Sequence, residues 1–188
     1  MNRVPRIVLG VTGSIATYKA AELVRLMMRH GWDVSVVMTR AAEEFVTPLT
    51  FQTLSRQPVG TGLFEEKDGW HPEHISYADR ADVLVIAPCT ANVIAKLAAG
   101  QADDLLSCTA LATRAPLVIA PAMNDNMWAH PATRANVAAL KSRGVSFVEV
   151  GSGELACGRE GEGRLAELDV ILKTVETALA QYRDGGLT

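Results

Sequence analysis

The feature that most constrains the fold of this chain is the alternation of short apolar runs with longer amphipathic stretches. Apolar, largely β-branched runs begin at Ile7, Val34, Val83 and Pro116, and each is of strand length. Strands that alternate with helices form βαβ units, which require a parallel sheet covered by helices on both faces. The sequence therefore predicts an α/β, Rossmann-like doubly wound parallel sheet in a single domain over residues 1–188.

Five strands and four helices are predicted. The strands are expected at Ile7–Val11, Val34–Met38, Val83–Ala87, Pro116–Ala120 and, more weakly, Ser146–Val150. The helices are expected at Ala16–His30, which Gly31 should end, at Tyr77–Ala81, at Ala132–Arg143 and at about 168–182. Residues 47–74 and the glycine-rich residues 151–163 fit the alternation poorly. Since ligands of doubly wound sheets bind beyond the carboxyl ends of the strands, we expect irregular segments there to carry function.

Composition excludes several classes of protein. The net charge is −3 and basic residues form no cluster, which argues against a nucleic-acid partner. No apolar run reaches the roughly 18 residues of a membrane span, and nothing reads as a signal peptide, so we expect a cytoplasmic protein. Its three cysteines lack CxxC spacing, so no metal site is predicted.

The turn after the first strand is a candidate anion site. Gly13 permits a tight turn, and Ser14 and Ile15 lead into a helix whose amino terminus presents free N–H groups. The turn matches neither the GxGxxG nor the P-loop pattern, and its shortness suits a mononucleotide phosphate better than a pyrophosphate. A simple helix cap by Ser14, with no ligand, explains these residues equally well.

Three further polar segments follow predicted strands. They contain Thr39, the stretch from Thr90 to Asn92, and the stretch from Ala122 to Asn124. Small side chains at these positions would let a flat ring approach the backbone. Thr90 or Asn92 could instead cap the next helix, a role that is compatible with ligand contact.

Cys157 lies in a segment in which five glycines interleave with charges, so that a mobile flap over about 151–164 is expected. A cysteine in a polar loop is unusual, because free cysteines normally behave as small buried apolar residues. We therefore interpret Cys157 as functional and Cys89 and Cys108, which lie beside apolar runs, as packing residues. Among the histidines, His71 and His74 are both acid–base candidates, and residue type does not choose between them.

Four strings together carry a resemblance to a known family. They are TGSIATYKA, HISYADRADVLVIAPCTANVIAKLAAGQADDLLS, PAMNDNMW followed by HP, and ACGREGEGRLAE. In this ordered combination the chain resembles the homo-oligomeric flavin-containing cysteine decarboxylases, and within them the enzymes that act on 4'-phosphopantothenoylcysteine. The resemblance runs from about residue 7 to about residue 179.

The resemblance implies roles for individual residues. His74 would be the catalytic base, Cys157 the proton donor of the last step, and Asn124, beside Met123, would hold the substrate carboxylate or amide. FMN is the implied cofactor, and its implied contacts are Gly13, Ser14, Ile15, Thr39, Phe45, Thr90, Ala91 and Ala122.

The resemblance also implies a reaction and an assembly. Oxidation of the substrate thiol to a thioaldehyde allows CO₂ to leave as an ene-thiol forms, and its reduction gives 4'-phosphopantetheine for coenzyme A biosynthesis. The implied assembly is a homotrimer, or a dodecamer of four trimers, with FMN at a subunit interface. A phosphopantothenoylcysteine synthetase domain is a further implied partner, because many bacterial relatives are fused to one.

Three alternative functions remain open at this stage. A peptidyl-cysteine decarboxylase of lantibiotic maturation would use the same chemistry. A flavin prenyltransferase would have no use for the PAMN string or for the flap cysteine. A non-catalytic, phosphatase-regulating flavoprotein would be expected to carry long acidic extensions, which this sequence lacks.

Overall fold

The computed structural model describes residues 3–64, 72–156 and 158–184. Their central element is a five-stranded parallel sheet in the order β2-β1-β3-β4-β5. Its strands are β1 (Arg6–Val11), β2 (Asp33–Met38), β3 (Val83–Cys89), β4 (Leu117–Pro121) and β5 (Ser146–Phe147). The predicted doubly wound α/β fold is thus confirmed. Since β2 and β3 flank β1 on opposite sides, the winding direction changes at β1, and a cleft is expected at the carboxyl ends of β1 and β3.

Helices cover both faces of the sheet. They are α1 (Thr17–Arg29), α2 (Arg40–Glu43), α3 (Pro48–Ser55), α4 (Glu73–Arg80), α5 (Ala91–Ala99), α6 (Leu105–Ala112), α7 (Asp125–Ala129), α8 (Pro131–Ser142) and α9 (Leu168–Asp184). An antiparallel hairpin of β6 (Gly151–Glu154) and β7 (Glu160–Arg164) completes the described structure. Within the described residues, no helix is both long and apolar enough to cross a membrane.

The apolar periodicities of the strands and helices produce a core layer on each side of the sheet. Leu9 packs in one layer with Leu23 and Met27 of α1, whereas its neighbour Val8 packs in the other layer with Leu106 of α6. The buried positions of α1 recur at helical spacing, and Gly31 follows the helix with φ of +79°. The predicted end of this helix at Gly31 is confirmed.

Three local predictions were wrong. Helix α4 begins at Glu73 rather than Tyr77, because only Tyr77 and Ala78 of this helix are buried and its polar first turn gives no periodic signal. Strand β5 has two residues instead of five, since pairing with β4 is limited to Ser146 and Phe147. Residues 151–163 were predicted to be irregular but contain most of the β6–β7 hairpin. Many side chains on both faces of this hairpin are exposed, so its sequence shows no apolar alternation.

Both edges of the sheet are short or occupied. At the β2 edge, Gly60 forms a parallel bridge with Val37, donating to Val36 O at 2.9 Å and accepting from Met38 N at 2.8 Å. A Cβ on Gly60 would lie 2.7 Å from Leu105 Cδ2, so this close approach requires glycine. At the other edge, β5 exposes a strand of only two residues.

Candidate functional site

Thr12 joins the carboxyl ends of β1 and β3. Its buried hydroxyl donates to Pro88 O at 2.7 Å and accepts from Thr90 N at 3.0 Å. This pair of hydrogen bonds fixes the turn after β1 against the turn after β3. The sequence reasoning missed Thr12, because its role depends on partners 76 and 78 residues away along the chain.

The turn after β1 packs tightly against α2. A Cβ on Gly13 would lie 2.5 Å from Ala41 Cβ, so the contact with Ala41 is what demands glycine here. Ser14 Oγ accepts from Ala16 N at 3.3 Å, but the N-cap of α1 is Ala16, with no side-chain cap. The interpretation of Ser14 as the helix cap was therefore wrong.

The first of two clefts, which we call the turn cleft, lies among the turns that follow β1, β2 and β3. It has a volume of about 460 Å³, and Gly13, Thr39 and Thr90 contribute to its wall. Thr90 caps α5 by accepting from Val93 N at 3.4 Å. Thr39 Oγ1 is buried and hydrogen-bonds to no group in the described part of the chain. Because buried hydroxyls nearly always have a partner, this orphaned atom fits a phosphate oxygen of a bound ligand.

A charged cluster forms another part of the turn-cleft wall. Lys96 Nζ lies 2.7 Å from both Asp103 Oδ1 and Asp104 Oδ2. Hydrogen bonds to these two carboxylates raise the pKa of Lys96. Partial burial acts to raise the pKa of Asp104, but hydrogen bonds from Lys96 and Ser107 outweigh it and hold that pKa below its ordinary value. The cluster is thus an ionised network that links α5 to the start of α6.

The second cleft, which we call the hairpin cleft, lies between α1 and the β6–β7 hairpin and measures about 380 Å³. It brings together four residues that the sequence resemblance assigned to the site, namely Ser14, Ile15, Ala122 and Met123. It also contains Lys19 and Arg164, which form no ion pair with any residue in the described ranges. Sequence reasoning did not single out these two cations, although both lie within the strings that carry the resemblance.

The hairpin is held against the segment from Met123 to Asp125. Met123 N donates to Gly163 O at 2.9 Å, and a Cβ on Gly163 would lie only 2.4 Å from Met123 O. At the far end of β7, Arg159 Nη2 lies 3.0 Å from Asp125 Oδ1. These contacts make the hairpin one wall of the cleft.

Of the three proposed catalytic residues, the structure describes His74 and Asn124. Asn124 caps α7, with its Oδ1 accepting from Asn126 N at 3.0 Å. His74 is half-buried in the first turn of α4. His74, Phe45, Ala91 and Asn124 line neither cleft. Cys157 and His71 lie outside the described residues.

The other cysteines and His130 have structural surroundings. Cys89 is fully buried, as predicted for a packing residue, and burial raises the pKa of its thiol. Burial, followed by the nearby Asp104, raises the pKa of Cys108. His130 caps α8, with Nδ1 accepting from Ala132 N at 3.2 Å.

Known proteins that are similar in sequence to this chain have names that refer to related steps of metabolism. The chain is 48% identical over 175 residues to the coenzyme A biosynthesis bifunctional protein CoaBC of Bacillus subtilis, covering 93% of this chain and 43% of that protein. It is 43% identical over 176 residues to a probable phosphopantothenoylcysteine decarboxylase of Streptococcus mutans, covering 93% and 98% of the two chains. The chain thus spans about two fifths of the length of the bifunctional relatives and nearly all of the shorter one.

Solved structures agree with the sequence relatives. A mutant PPC decarboxylase in complex with pantothenoylaminoethenethiol superposes with a TM-score of 0.83 at 33% identity, covering 93% of this chain and 98% of that one. The FMN-dependent cysteine decarboxylase SpaF superposes with a TM-score of 0.81 at 31% identity, covering 95% and 97%. These relatives confirm the resemblance found in the sequence. The model of the Flavoprotein family matches residues 1–180, and the chain therefore belongs to the Flavoprotein family.

Proposed function

We propose that this chain catalyses the FMN-dependent decarboxylation of 4'-phosphopantothenoylcysteine to 4'-phosphopantetheine. The observation that carries the proposal is the hairpin cleft, in which two cations without ion-pair partners among the described residues, Lys19 and Arg164, lie near Met123. Such cations suit a substrate that carries a phosphate as well as a carboxylate better than a peptide that carries only its C-terminal carboxylate. The Streptococcus mutans relative, which the chain covers almost completely, carries the same activity in its name.

FMN is the proposed cofactor, and the turn cleft is the proposed place of its phosphate. Thr39 would donate its orphaned hydroxyl to a phosphate oxygen, and Gly13 and Thr90 would bring backbone close to the same group. The remaining proposed contacts are Ser14, Ile15, Phe45, Ala91 and Ala122. When bound, FMN supplies reversible two-electron chemistry, which a side chain cannot provide.

The proposed roles of the side chains concern protons and orientation. His74 would remove the thiol proton as the substrate is oxidised, and Asn124 with Met123 would hold the carboxylate or amide next to the cleft. Loss of CO₂ would leave an ene-thiol, and Cys157 would protonate its carbon in the last step. The hairpin of residues 151–164 would act as a substrate flap that excludes water while this happens.

We also propose that the enzyme is at least a trimer, or a dodecamer of four trimers, with FMN at the subunit interface. His74 lines neither cleft of its own chain, which supports an arrangement in which a second copy brings its histidine to the substrate. Large apolar side chains are exposed at the hairpin cleft, namely Ile15 and Tyr18, and further ones are exposed at Phe45 and Leu49. A phosphopantothenoylcysteine synthetase domain is a proposed further partner, since the matched relatives include bifunctional proteins.

The decisive experiment compares three substrates: 4'-phosphopantothenoylcysteine, its unphosphorylated form and a peptide ending in cysteine. We expect the phosphorylated substrate to have the highest kcat/KM. Lys19→Gln and Arg164→Gln should each reduce its advantage over the unphosphorylated form at least tenfold. Arg25→Gln, which removes an exposed arginine of α1, is the matched control and should leave the ratio unchanged. Preference for the peptide would assign the chain to lantibiotic-type maturation, and cofactor identified as FAD would refute the FMN site.

A second experiment tests the role of Cys157. A serine hydroxyl is a much weaker acid than a thiol, whose ordinary pKa is about 8.5. Cys157→Ser should therefore release CO₂ under anaerobic conditions but accumulate the ene-thiol and bleached flavin. A variant that neither bleaches nor releases CO₂ would place Cys157 earlier in the reaction, and full product formation would remove it from the mechanism.

A further inference from the structure

A second set of charged residues lies at the opposite end of the sheet from the two clefts. Arg6 is the first residue of β1, Asp82 immediately precedes β3, and Arg114 lies shortly before β4. Together with Arg3, Asp79 and Tyr182 they line a cavity of about 450 Å³, which we call the amino-end cavity. That volume is within the range of small-molecule sites.

The acidic residues do not neutralise all of the arginines in this cavity. The buried Asp82 pairs with Arg3, and its Oδ2 accepts from the backbone N of Arg6 at 2.8 Å. Asp79 is exposed at the wall. Arg6 and Arg114 form no ion pair with any described residue. Two guanidinium groups are therefore available to an incoming anion.

Arg6 supplies the second, independent observation. Its Nε is buried and hydrogen-bonds to no group among residues 3–64, 72–156 and 158–184. A buried donor on a charged group is costly to leave unsatisfied, so the position of this one favours binding of an acceptor. Guanidinium groups match phosphate oxygens through paired N–H donors, which makes a phosphate group the natural acceptor.

We propose that the amino-end cavity binds the phosphate monoester of a small organic molecule, with Arg6 and Arg114 holding the phosphate. The cavity is larger than one inorganic ion requires, and Tyr182 at its wall can contact the organic part. The site is separate from the clefts of the proposed reaction, because it lies at the amino ends of β1, β3 and β4.

The test uses the FMN-loaded protein, with glycerol 3-phosphate and inorganic phosphate as probes and chloride at equal ionic strength as the background. Calorimetry should detect glycerol 3-phosphate binding, and Arg6→Gln and Arg114→Gln should each weaken it at least tenfold. Lys19→Gln with Arg164→Gln, which alters only the hairpin cleft, and Arg25→Gln should leave it unchanged. Arg114 is exposed, so Arg114→Gln keeps the test informative if Arg6→Gln fails to fold.

Three results would overturn the proposal. They are no binding above the chloride background, binding that both arginine variants retain, and binding that disappears in the Lys19→Gln, Arg164→Gln protein. Inorganic phosphate that binds as tightly as the ester would refute a monoester site and indicate a free-phosphate site instead. Since the Arg6 and Arg114 variants are expected to keep wild-type kcat/KM, failure of this site is distinguishable from failure of the proposed enzyme activity.

Discussion

Two threonines at strand ends show how one residue type serves two purposes at this site. Thr12 satisfies its hydroxyl internally, with Pro88 and Thr90, and so holds two strand ends together. Thr39 occupies the equivalent place after β2, yet its buried hydroxyl has no partner in the described chain. The first hydroxyl therefore serves the fold, and the second is free to serve the proposed ligand.

Substitution by valine separates these purposes, because valine replaces the hydroxyl by a methyl group of similar size. Thr39→Val should leave the free energy of unfolding of the cofactor-free protein unchanged or slightly higher, while FMN affinity falls about tenfold. Thr12→Val should instead lower the free energy of unfolding by about 1–3 kcal/mol, since Pro88 O and Thr90 N lose a buried partner. Denaturant unfolding and flavin titration measure the two effects. A stability loss at Thr39 equal to that at Thr12 would contradict this assignment.

His74 permits a second test at the residue scale. His74→Asn should lower the rate of CO₂ release at least a hundredfold, because a positioned acid–base group contributes about 10²–10⁴ to a rate. The flavin spectrum should not change, since His74 is not among the proposed FMN contacts. The matched control is His130→Asn, because asparagine is itself a good N-cap and can replace His130 at α8. Near-normal turnover in His74→Asn would contradict the assignment of His74 as the base and would favour His71.

How far the site could be predicted from sequence depends on the distance between partners. Thr90 as a helix cap was predictable, because its hydrogen bond to Val93 spans three residues. Thr12 was not, because its partners come from another strand. Arg6 was equally hidden, since only the fold shows that its Nε is buried with no acceptor among the described residues.

At the scale of elements, the hairpin of β6 and β7 approaches the segment after β4 closely at a glycine. Gly163 has φ of +130° and carries the hydrogen bond from Met123 N. Any side chain at this position would collide with Met123 O. The charged contact between Arg159 and Asp125 is exposed on the arginine side and adds little stability of its own.

Alanine substitutions in the hairpin should therefore have unequal effects. Gly163→Ala should raise KM and lower kcat, because the hairpin can no longer lie against Met123, while the thermal stability of the sheet changes little. Gly151→Ala, in the same hairpin, places its Cβ at ordinary contact distances of 3.5 Å or more and should be nearly silent. Steady-state kinetics of the two variants measure the changes in kcat and KM, and thermal melts measure the change in stability. Equal kinetics in both would show that hairpin docking is not needed for turnover.

The hairpin also shows why some elements escaped prediction. The buried strands β1 to β4 are recognisable in the sequence as apolar runs, because both of their faces are covered by helices. Most of the hairpin is exposed to solvent. Its sequence therefore consists largely of glycines and charged residues and shows no apolar alternation. Tertiary docking, which the local sequence does not encode, determines where it lies.

At the scale of the whole molecule, exposed apolar side chains on α1 and α3 predict self-association. Tyr18→Glu and Leu49→Glu should each reduce the mass in solution to that of a monomer and weaken flavin retention, because charge would enter the proposed interface. Leu111→Glu, an exposed leucine on α6, should preserve the trimer. Mass photometry with flavin absorbance measures both properties. A wild-type protein that is monomeric yet fully active would refute the proposal that the site is formed between two subunits.

The two edges of the sheet, at β2 and at β5, also limit aggregation between copies of this chain. A long unpaired strand edge is a template on which another chain can add, and such addition leads to aggregation. Gly60 already occupies part of the β2 edge, and β5 offers only two residues to an intruding strand. The folded chain therefore presents little unpaired strand backbone at either edge of the sheet, which disfavours association by strand addition.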